Sequence, residues 1–591
     1  MLAKIGLCKT VGGRPAKRVA AWLLAVYAFG MASSGWALPA KVALIHSDPL
    51  LGQVAANLAT LQNLVQQAFD NGANIVVTPE LSTTGYSITR EEVLDGLGFT
   101  SPYPQLNPIR DLAIAHSGYV FIAIAEVADG GAAVYNTIVV YGPNGFITTQ
   151  EKRGLSGWHD RGILPFNILP TPYGDIGYMI CSDSYLPDWL RIMTKEGADI
   201  VLLPANWWGT GQVEIWQVRA RENGVWFLTA NRWGTETDTR FGMPYYVYDM
   251  NDAPSAAITP DGTVQLIHRA EDDPVPHDTI LYYTVNVPQY RIGTALNPVY
   301  TVNFRKPSAY TDIANTYYRP DLGNVPAPGL PPSGVTNVAS FAYKPSANPL
   351  TNLAVVGDLF ARASIPPAIV VLPGLGISAA PVSTANANWY QSDAWAALQS
   401  FVEAHGIQLL ATSIIEHTAS GQYRESLVVL RPQQAPLVRG QIHDSLTGVG
   451  TGITPVPIDL PNARVGVLLG RDALFPELST DLAKTGIDIL AITSRVGAAT
   501  TDHDVNAPNY FWDVDMLYKE WTTATDHVFH LVASDWTGNG TVLENLGGII
   551  GREADSNSAA PVQVLDLDSS FVRTKFLNAY YSFDLQSLLG P

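Results

Sequence analysis

A cysteine that follows a buried strand is the residue of this chain best suited to covalent chemistry. Cys181 comes directly after the apolar segment 176–180 and before a polar turn, and Pro187 stands in the first turn of a predicted helix, where a proline costs no hydrogen bond. Backbone N–H groups and the positive end of a helix dipole stabilise a thiolate and the oxyanion formed by its attack. The pattern therefore predicts a nucleophile, although a small buried thiol is the alternative.

Two charged residues also follow predicted strands. Glu80 comes directly after the buried segment 75–79, and Lys152 follows a predicted hairpin of strands 134–141 and 146–150. A carboxylate just beyond a buried strand is where α/β proteins place reactive groups, although it also serves as a helix cap. A lysine in a loop is ordinarily a solvated surface charge. Glu80 is thus a candidate base and Lys152 a candidate cation, but their positions in the sequence require neither role.

The elements around these residues predict the fold class. Segments 42–47, 119–125 and 226–230 have the composition of buried strands, and helices are predicted to end at Phe69 and to span 213–223. Short buried strands that alternate with helices indicate an α/β fold with layered sheets. With 591 residues, of which 47% are hydrophobic and 15% charged, the chain is long enough for two or more domains.

Five segments resemble landmarks of the nitrilase, or carbon-nitrogen hydrolase, superfamily. They are PELSTTGY around Glu80, EKRGL around Lys152, GYMICSDSYLPDWLR around Cys181, RARENGVWFLTANRWG from Arg219 and SAAITPDGTV from Ser255. Five short motifs in the family's order make the resemblance specific. It covers residues 40–310 and implies an αββα sandwich with a Glu-Lys-Cys triad at the strand ends.

The resemblance implies a role for each matching residue. Cys181 would be the nucleophile, Glu80 the general base, and Lys152 the cation that faces the developing oxyanion, with the backbone N–H of Ser182 as a second donor. The family often has a second glutamate shortly after the lysine. Here the nearest acid is Asp160, which is one carbon shorter, so we expect a positioning role for it, with a plain surface-loop acid as the alternative.

The substrate class follows less directly. Aromatic and polar side chains predicted to line an acyl or amine pocket are Tyr135, His159, Trp207, Trp208 and Trp233, unless the tryptophans simply fill the core. The sequence Cys-Ser-Asp at 181–183 is similar to amidase-like members, which favours hydrolysis of an amide over a nitrile. A nitrilase and a non-catalytic binding module on the same scaffold remain alternatives. The acyl and amine parts, and primary versus secondary amides, stay open.

The second half repeats the first with a constant shift. Asp183 and Asp472, Pro187 and Pro476, Lys195 and Lys484, and Gly197 and Gly486 are each 289 positions apart, which indicates internal duplication. The chemistry is not repeated, because the positions that match Glu80, Lys152 and Cys181 are Gly374, Gln441 and Gly470. We predict a catalytic domain at 38–318, a Pro/Gly-rich linker at 319–334 and a degenerate nitrilase-like domain at 335–591. The two domains would pack as a pseudo-dimer, like the subunits of the family's dimers.

The N-terminus has the composition of an export signal. Five basic residues precede or begin an apolar run at 19–32, and Gly-Trp-Ala at 35–37 forms a cleavage site. We expect residues 1–37 to be a signal peptide and the protein to be periplasmic or secreted, with an uncleaved anchor as the alternative. Since the other cysteine, Cys8, lies in this segment, Cys181 would be the sole thiol of the mature chain and could form no internal disulfide.

Charge restricts the partners. The formal charge of the chain is −18, and the predicted signal contains five basic residues and no acidic ones, so its removal leaves a charge of −23. A chain with this negative charge is expected to bind nucleic acid and anionic membranes poorly. The predicted partner is a small-molecule amide, and the predicted assembly is a monomer with an internal pseudo-dimer, further oligomerisation being open. The eleven histidines include no metal-ligand spacing such as HExxH, so we expect no metal and no cofactor.

Overall fold

The computed structural model describes most of the chain beyond the N-terminal segment. The described residues are 37–154, 158–162, 165–209, 212–238, 246–290, 305–313, 315, 317–318, 323–378, 393–417, 423–443, 455, 457–470, 472–495, 527–538, 540–547, 550–554 and 561–575. The predicted signal peptide lies outside them except for its last residue. No helix in these ranges combines the length and the apolarity that a bilayer span requires.

The first half contains two six-stranded sheets. The strands of the first sheet are β1 (Ala40–His46), β2 (Ile75–Val77), β3 (Tyr119–Ala128), β4 (Ala133–Gly142), β5 (Gly145–Glu151) and β14 (Thr279–Val285). Their spatial order is β14-β1-β2-β3-β4-β5, with β1, β2 and β3 parallel and the flanking pairs antiparallel. Because the parallel strands are buried on both faces, they are continuous apolar runs in the sequence.

The second sheet has the same mixture of parallel and antiparallel pairs. Its strands are β6 (Ile168–Thr171), β7 (Gly174–Tyr178), β8 (Ile200–Ala205), β9 (Trp226–Asn231), β12 (Ser255–Ile258) and β13 (Val264–His268), in the order β6-β7-β8-β9-β12-β13. A separate hairpin, β10 (Thr235–Asp238) and β11 (Tyr246–Asp249), lies between β9 and β12 in sequence. This hairpin was not predicted from the sequence.

Helices cover the outer faces of these sheets, and the inner faces pack on each other. Helices α1 (Val54–Asp70) and α2 (Asn107–Ala115) cover the first sheet, and α3 (Pro187–Lys195) and α4 (Gln212–Asn223) cover the second. Between the sheets, the rings of Phe121 and Tyr178 meet edge to face at 5.2 Å. The first half is therefore an αββα sandwich, as predicted.

The second half repeats both sheets. Its strands are β15 (Val335–Phe341), β16 (Ile369–Val371), β17 (Leu409–His417), β18 (Tyr423–Leu430), β19 (Leu437–Gly440) and β26 (Val562–Asp568) in the third sheet, and β20 (Ile458–Asp459), β21 (Arg464–Leu469), β22 (Ile489–Thr493), β23 (His530–Ser534), β24 (Thr541–Asn545) and β25 (Ile550–Ala554) in the fourth. The orders β26-β15-β16-β17-β18-β19 and β20-β21-β22-β23-β24-β25 reproduce the first two sheets pair by pair. Its helices are α5 (Pro349–Arg362), α6 (Asp393–Ala404) and α7 (Pro476–Lys484).

The two halves meet along α3 and α7 with pseudo-two-fold symmetry. Thr480 Oγ1 donates to Asp188 Oδ2 at 2.8 Å, and Arg191 Nε lies 3.3 Å from Glu477 Oε1. Glu477 and Thr480 are the positions 289 after Asp188 and Arg191. Each contact is thus the symmetry counterpart of the other, which is the pattern of an isologous interface. One apolar cluster also includes buried residues from both helices.

The described part of the proline-rich stretch lies along the second half. Arg464 Nη2 donates to the carbonyl of Gly329 at 2.9 Å, and Arg573 Nη1 donates to that of Pro331 at 2.8 Å. Ala327 is buried. Residues 323–334 therefore pack against the second half.

Candidate active site

Glu80 lies at the carboxyl edge of the first sheet, just beyond β2. Its side chain is fully buried, and its Oε1 accepts hydrogen bonds from Lys152 Nζ at 2.6 Å and from Asn136 Nδ2 at 2.7 Å. The other oxygen, Oε2, accepts no hydrogen bond from the described residues. The carboxylate is therefore fixed through one oxygen, and the second can receive a proton.

Lys152 follows β5, and its side chain is 1% exposed. Burial alone would lower the pKa of its ammonium group. The negative charge of Glu80, together with the thiolate form of Cys181, outweighs burial and raises that pKa. Lys152 consequently remains a cation at neutral pH, next to the place where negative charge would develop.

Cys181 is the first residue of a short 3-10 helix that follows β7, and it is 3% exposed. Its φ of +46° is in the left-handed region, a strained backbone conformation that residues at functional turns often adopt. The hydroxyl of Ser184 donates to the carbonyl of Cys181 at 2.8 Å and holds this turn closed. Ser182 follows directly, in the first turn, where backbone N–H groups have no partner within the helix.

The protonation state of the thiol depends on its charged neighbours. Burial raises the pKa of Cys181 well above its ordinary value, and the charge of Glu80 raises it further, whereas Lys152 and the backbone N–H of Asn206 lower it. The resting thiol is therefore protonated and adjacent to a carboxylate that can remove the proton. A sulfur nucleophile, a base and a cation converge in one buried cluster, and this set can carry out acyl transfer.

Asp183 holds the two triad-bearing loops together. Its carboxylate accepts backbone N–H groups from Gly154 at 2.7 Å, from Ile180 at 3.1 Å and from Arg153 at 3.5 Å. Burial raises the pKa of Asp183 to about 6, while the charge of Lys152 and these hydrogen bonds oppose the shift. Asp183 therefore links the loop after Lys152 to the turn at Cys181.

The structure brings some of the other predicted residues to this cluster. His159 is 5% exposed, and burial lowers its pKa to about 4, with the nearby Lys152 charge adding to the effect, so its imidazole is neutral at pH 7. Trp207 is also 5% exposed, and its ring meets that of Tyr185 edge to face at 4.8 Å. Trp208 follows at the surface, with 38% of the residue exposed.

Other predicted residues lie elsewhere. The carboxylate of Asp160 is 42% exposed and pairs with Arg90 at 2.9 Å. Tyr135 points to the opposite face of β4 from Asn136, because neighbouring residues of a strand alternate between its faces. Trp233 donates from Nε1 to Asp278 at 3.0 Å. The structure therefore does not bring these three side chains to the cluster.

Several residues at the cluster were missed in the sequence analysis. Tyr86 interacts electrostatically with Lys152, Glu80 and Cys181, and it belongs to the motif PELSTTGY, where only the glutamate was assigned a role. Asn206 follows β8 as Cys181 follows β7, so the rule that reactive groups follow parallel strands could have identified it. Both polar atoms of its side chain are buried without a hydrogen-bond partner among the described residues.

Within the described ranges, no group of three or more His, Cys, Asp or Glu side chains is arranged to hold a metal ion.

Comparison with known proteins relates the first half to one family. The family model described as Carbon-nitrogen hydrolase matches residues 41–267. A protein named Nitrilase from Pyrococcus abyssi (strain GE5 / Orsay) is 32% identical over 207 residues, which are 34% of this chain and 78% of that protein. The omega-amidase NIT2 of Danio rerio is 26% identical over 273 residues, which are 42% of this chain and 92% of that protein.

Two solved structures also align with part of the chain. An amidase from Nesterenkonia sp. aligns with a TM-score of 0.35 and 18% identity over 44% of this chain and 96% of that one. Nit3 of Saccharomyces cerevisiae, described as a member of branch 10 of the nitrilase superfamily, aligns with a TM-score of 0.38 and 18% identity over 44% of this chain and 95% of that one. Each of these comparisons covers less than half of the chain.

Proposed function

The chain belongs to the carbon-nitrogen hydrolase family, and from this premise we propose that its first half hydrolyses the C–N bond of a non-peptide, linear amide through a thioester on Cys181. The observation that carries the proposal is the meeting of Glu80, Lys152 and Cys181 in one buried cluster. These residues lie far apart in the sequence. Because burying an acid and an ammonium group beside a thiol costs stability, folding alone does not explain why they meet in an apolar interior.

The geometry supports a two-step mechanism. Glu80 takes the thiol proton as the sulfur of Cys181 attacks the amide carbon, and the carbonyl oxygen becomes negative beside Lys152 and the N–H of Ser182. Collapse of this intermediate breaks the C–N bond, and Glu80 returns the proton to the departing nitrogen. A water molecule, deprotonated by Glu80, then attacks the thioester, and release of the acid restores the thiol.

Amide hydrolysis is supported by the names of relatives and by the Cys-Ser-Asp sequence. The omega-amidase NIT2 matches over most of its length. Nitrile hydrolysis is the second candidate, because the protein from Pyrococcus abyssi that matches at 32% identity is named Nitrilase. Both reactions begin with attack of a thiol on a carbon bonded to nitrogen, so the triad alone does not distinguish them.

For the second half we propose a non-catalytic, nitrilase-like domain that acts as an internal partner subunit. In support, Gly374, Gln441 and Gly470 stand at the positions of Glu80, Lys152 and Cys181. The shared strand order and the pseudo-two-fold contacts of α3 with α7 support the packing role. A truncation after the first half that stayed folded, soluble and fully active would contradict it.

Export completes the proposal. The basic and apolar N-terminal segment supports a signal peptide at 1–37 and a periplasmic or secreted enzyme. We expect the enzyme to act on a small molecule, since its negative charge opposes binding to nucleic acid. Cell fractionation, with mass spectrometry of the N-terminus, tests both the cleavage and the compartment.

A substrate screen tests the reaction. Primary amides, secondary amides, carbamates and nitriles are incubated with the protein, with Cys181→Ala as the blank, and release of amine or ammonia and of acid is measured. Hydrolysis of amides that is absent from the blank supports the proposal. Hydrolysis of nitriles alone favours the second candidate. A protein that hydrolyses none of these compounds, and whose thiol does not react with iodoacetamide, favours a binding module.

A further inference from the structure

Five aromatic rings in successive contact form a continuous arc beside the triad. In order they are Tyr185, Trp207, Trp208, Tyr248 and Tyr86, with successive ring centroids 4.8, 6.5, 4.8 and 5.7 Å apart. Tyr185 lies in the turn that starts at the nucleophile, and Tyr86 interacts electrostatically with all three triad residues. We refer to these five residues as the aromatic arc.

Burial changes sharply along the aromatic arc. Tyr86, Tyr248 and Trp207 are 8%, 5% and 5% exposed, whereas Trp208 is 38% exposed. Core filling accounts for the buried rings, whereas the indole of Trp208, in the middle of the series, stays open to solvent. The aromatic arc thus connects an exposed ring, Trp208, through Tyr248 to Tyr86, which interacts electrostatically with the triad.

The ion pair between Glu236 and Arg232 holds the aromatic arc in place, and both of its members make further contacts. Glu236 on β10 accepts the backbone N–H groups of Tyr86 at 3.1 Å and of Ser87 at 2.8 Å, and it pairs with Arg232, which also binds Asp48 at 2.5 Å. The hairpin that carries Tyr248 is therefore anchored to the loop after Glu80. These charges position rings, and they are already paired.

The side chains of the aromatic arc offer an uncharged surface. Burial raises the pKa of Tyr86, so its phenol remains neutral, and His159, which interacts electrostatically with Lys152, is neutral because burial lowers its pKa to about 4. Among the described residues, the charged groups beside these rings are already paired, Lys152 with Glu80 and Glu236 with Arg232. A carboxylate or ammonium group buried there would therefore lose hydration and would have to compete for a charge that is already paired. Hydrogen-bonding capacity is available instead, because Trp207 Nε1 and both polar side-chain atoms of Asn206 are buried without partners among the described residues.

We propose that the substrate is an amide that carries an uncharged aromatic ring on one side of the C–N bond, and that Trp208 and Tyr248 bind this ring. The inference rests on the proposed function and adds the substrate class to it. Offset-stacked and edge-to-face contacts with Trp and Tyr favour a flat ring over an alkyl or charged group. The amide itself would then lie near Asn206 and the triad.

Four amides test this assignment. Benzamide places the ring on the acyl side, acetanilide places it on the amine side, acetamide has no ring, and succinamic acid carries a charge. We expect kcat/KM for at least one of the two aromatic amides to exceed that for acetamide and for succinamic acid by about tenfold or more. Equal or better turnover of acetamide or succinamic acid would overturn the inference while leaving the proposed function intact.

Substitutions on the hairpin and at the surface sharpen the test. In Trp208→Ala we expect KM for the preferred aromatic amide to rise about tenfold, with KM for acetamide changed less than about twofold. The matched control is Val247→Ala, because Val247 is 56% exposed and adjacent to Tyr248 but on the other face of β11. An equal effect of Trp208→Ala on both substrates, or an equal effect of the control, contradicts the inference.

Binding can be measured without turnover. In the Cys181→Ala protein, benzamide or acetanilide should quench tryptophan fluorescence saturably, and Trp208→Ala in that background should weaken binding about tenfold. If no amide is hydrolysed but this binding remains, the proposed function fails and the assignment of the aromatic arc stands. If neither aromatic amide binds, the assignment fails.

Discussion

Arg495 pairs with Glu425 at 3.1 Å between Nε and Oε2, inside the second half, at the positions that match Asn206 and Asn136 of the triad cluster. In the first half the backbone N–H of Asn206 interacts with the sulfur of Cys181, and the side chain of Asn136 donates to the carboxylate of Glu80. In the second half an ion pair takes their place, and a Cβ added to Gly374 would lie 2.7 Å from Arg495 Cγ. The space of a glutamate side chain is therefore already occupied.

Restoring three residues should consequently not restore activity in the second half. In a Cys181→Ala background, the combination Gly374→Glu, Gln441→Lys and Gly470→Cys should hydrolyse nothing. It should also lower the free energy of unfolding by about 1 to 3 kcal/mol per overpacked site, since a Cβ at 470 would lie 2.7 Å from Ser494 Oγ. Denaturant unfolding and the amide assay measure both effects.

Two further changes provide the control for this prediction. Adding Arg495→Asn and Glu425→Asn removes the ion pair and copies the asparagines of the first half. Part of the lost stability should return. Hydrolysis by the triple variant alone would show that the ion pair does not block the site.

Replacing Glu80 should lower kcat and, at the same time, lower the pKa of the Cys181 thiol. In Glu80→Gln, kcat should fall about a thousandfold, because both proton transfers lose their base. The pKa of Cys181 should nevertheless decrease, since burial and the charge of Glu80 both raise it and the Lys152 charge that lowers it remains. The rate of alkylation by iodoacetamide should therefore reach its midpoint at a lower pH than in the wild type.

Cys181→Ala is the control for the labelling, because Cys181 is the only cysteine beyond the predicted signal. An alkylation midpoint that stayed the same or moved upward in Glu80→Gln would contradict the arrangement of charges described for the cluster.

Much of the first half could be predicted from local sequence. The apolar runs of β2 and β8 and the helix start at Pro187 are readable because burial and capping leave compositional patterns. The meeting of Glu80 and Cys181 could also be anticipated, because residues that follow parallel strands share the carboxyl edge of their sheets. The duplicated spacing likewise anticipated the repeated strand order.

The orientation of individual side chains could not be predicted in the same way. β4 is buried on both faces along most of its length, so alternation gave no sign that Asn136 rather than Tyr135 faces Glu80. The outward position of Asp160 depends on Arg90, a partner that is distant in sequence. The β10–β11 hairpin has exposed residues and a mixed polar sequence, which left no periodic pattern to recognise.

Asp183 and Asp472 allow the link between the two loops to be tested in a matched pair. Asp472 accepts the backbone N–H groups of Ile442 at 3.1 Å and His443 at 2.9 Å, as Asp183 accepts those of Arg153 and Gly154. An asparagine turns one accepting oxygen into a donor, so each substitution to Asn should cost about 2 kcal/mol of unfolding free energy.

Only Asp183→Asn should also affect catalysis. Because it loosens the loop of Lys152 relative to Cys181, kcat/KM should fall about tenfold or more, whereas Asp472→Asn should retain wild-type kinetics. Steady-state assays together with denaturant unfolding measure the two effects. Equal kinetic losses in both variants would contradict a separation between an active and an inactive half.

The buried carboxyl of Asp188 makes the contact between the halves sensitive to pH. Burial raises its pKa from 3.8 to about 7, the hydroxyl of Thr480 opposes this shift, and the charge of Glu477 adds to it. Between these two values the folded protein keeps a proton that the unfolded chain has lost. The stability contributed by this group therefore decreases as the pH rises through that window, and it remains at its lower level above the folded pKa.

Asp188→Asn cannot ionise and should lack this dependence. The difference in unfolding free energy, variant minus wild type, should therefore become more positive from about pH 5 to about pH 8, by about 1.4 kcal/mol per pH unit below the folded pKa. Asp111→Asn is the control, because that side chain is 62% exposed in a surface pair with Arg110 and should give a nearly constant difference. Denaturant titrations at the two pH values make the measurement. A difference for Asp188→Asn that stayed constant or became more negative with pH would mean that this carboxyl is not held protonated between the halves.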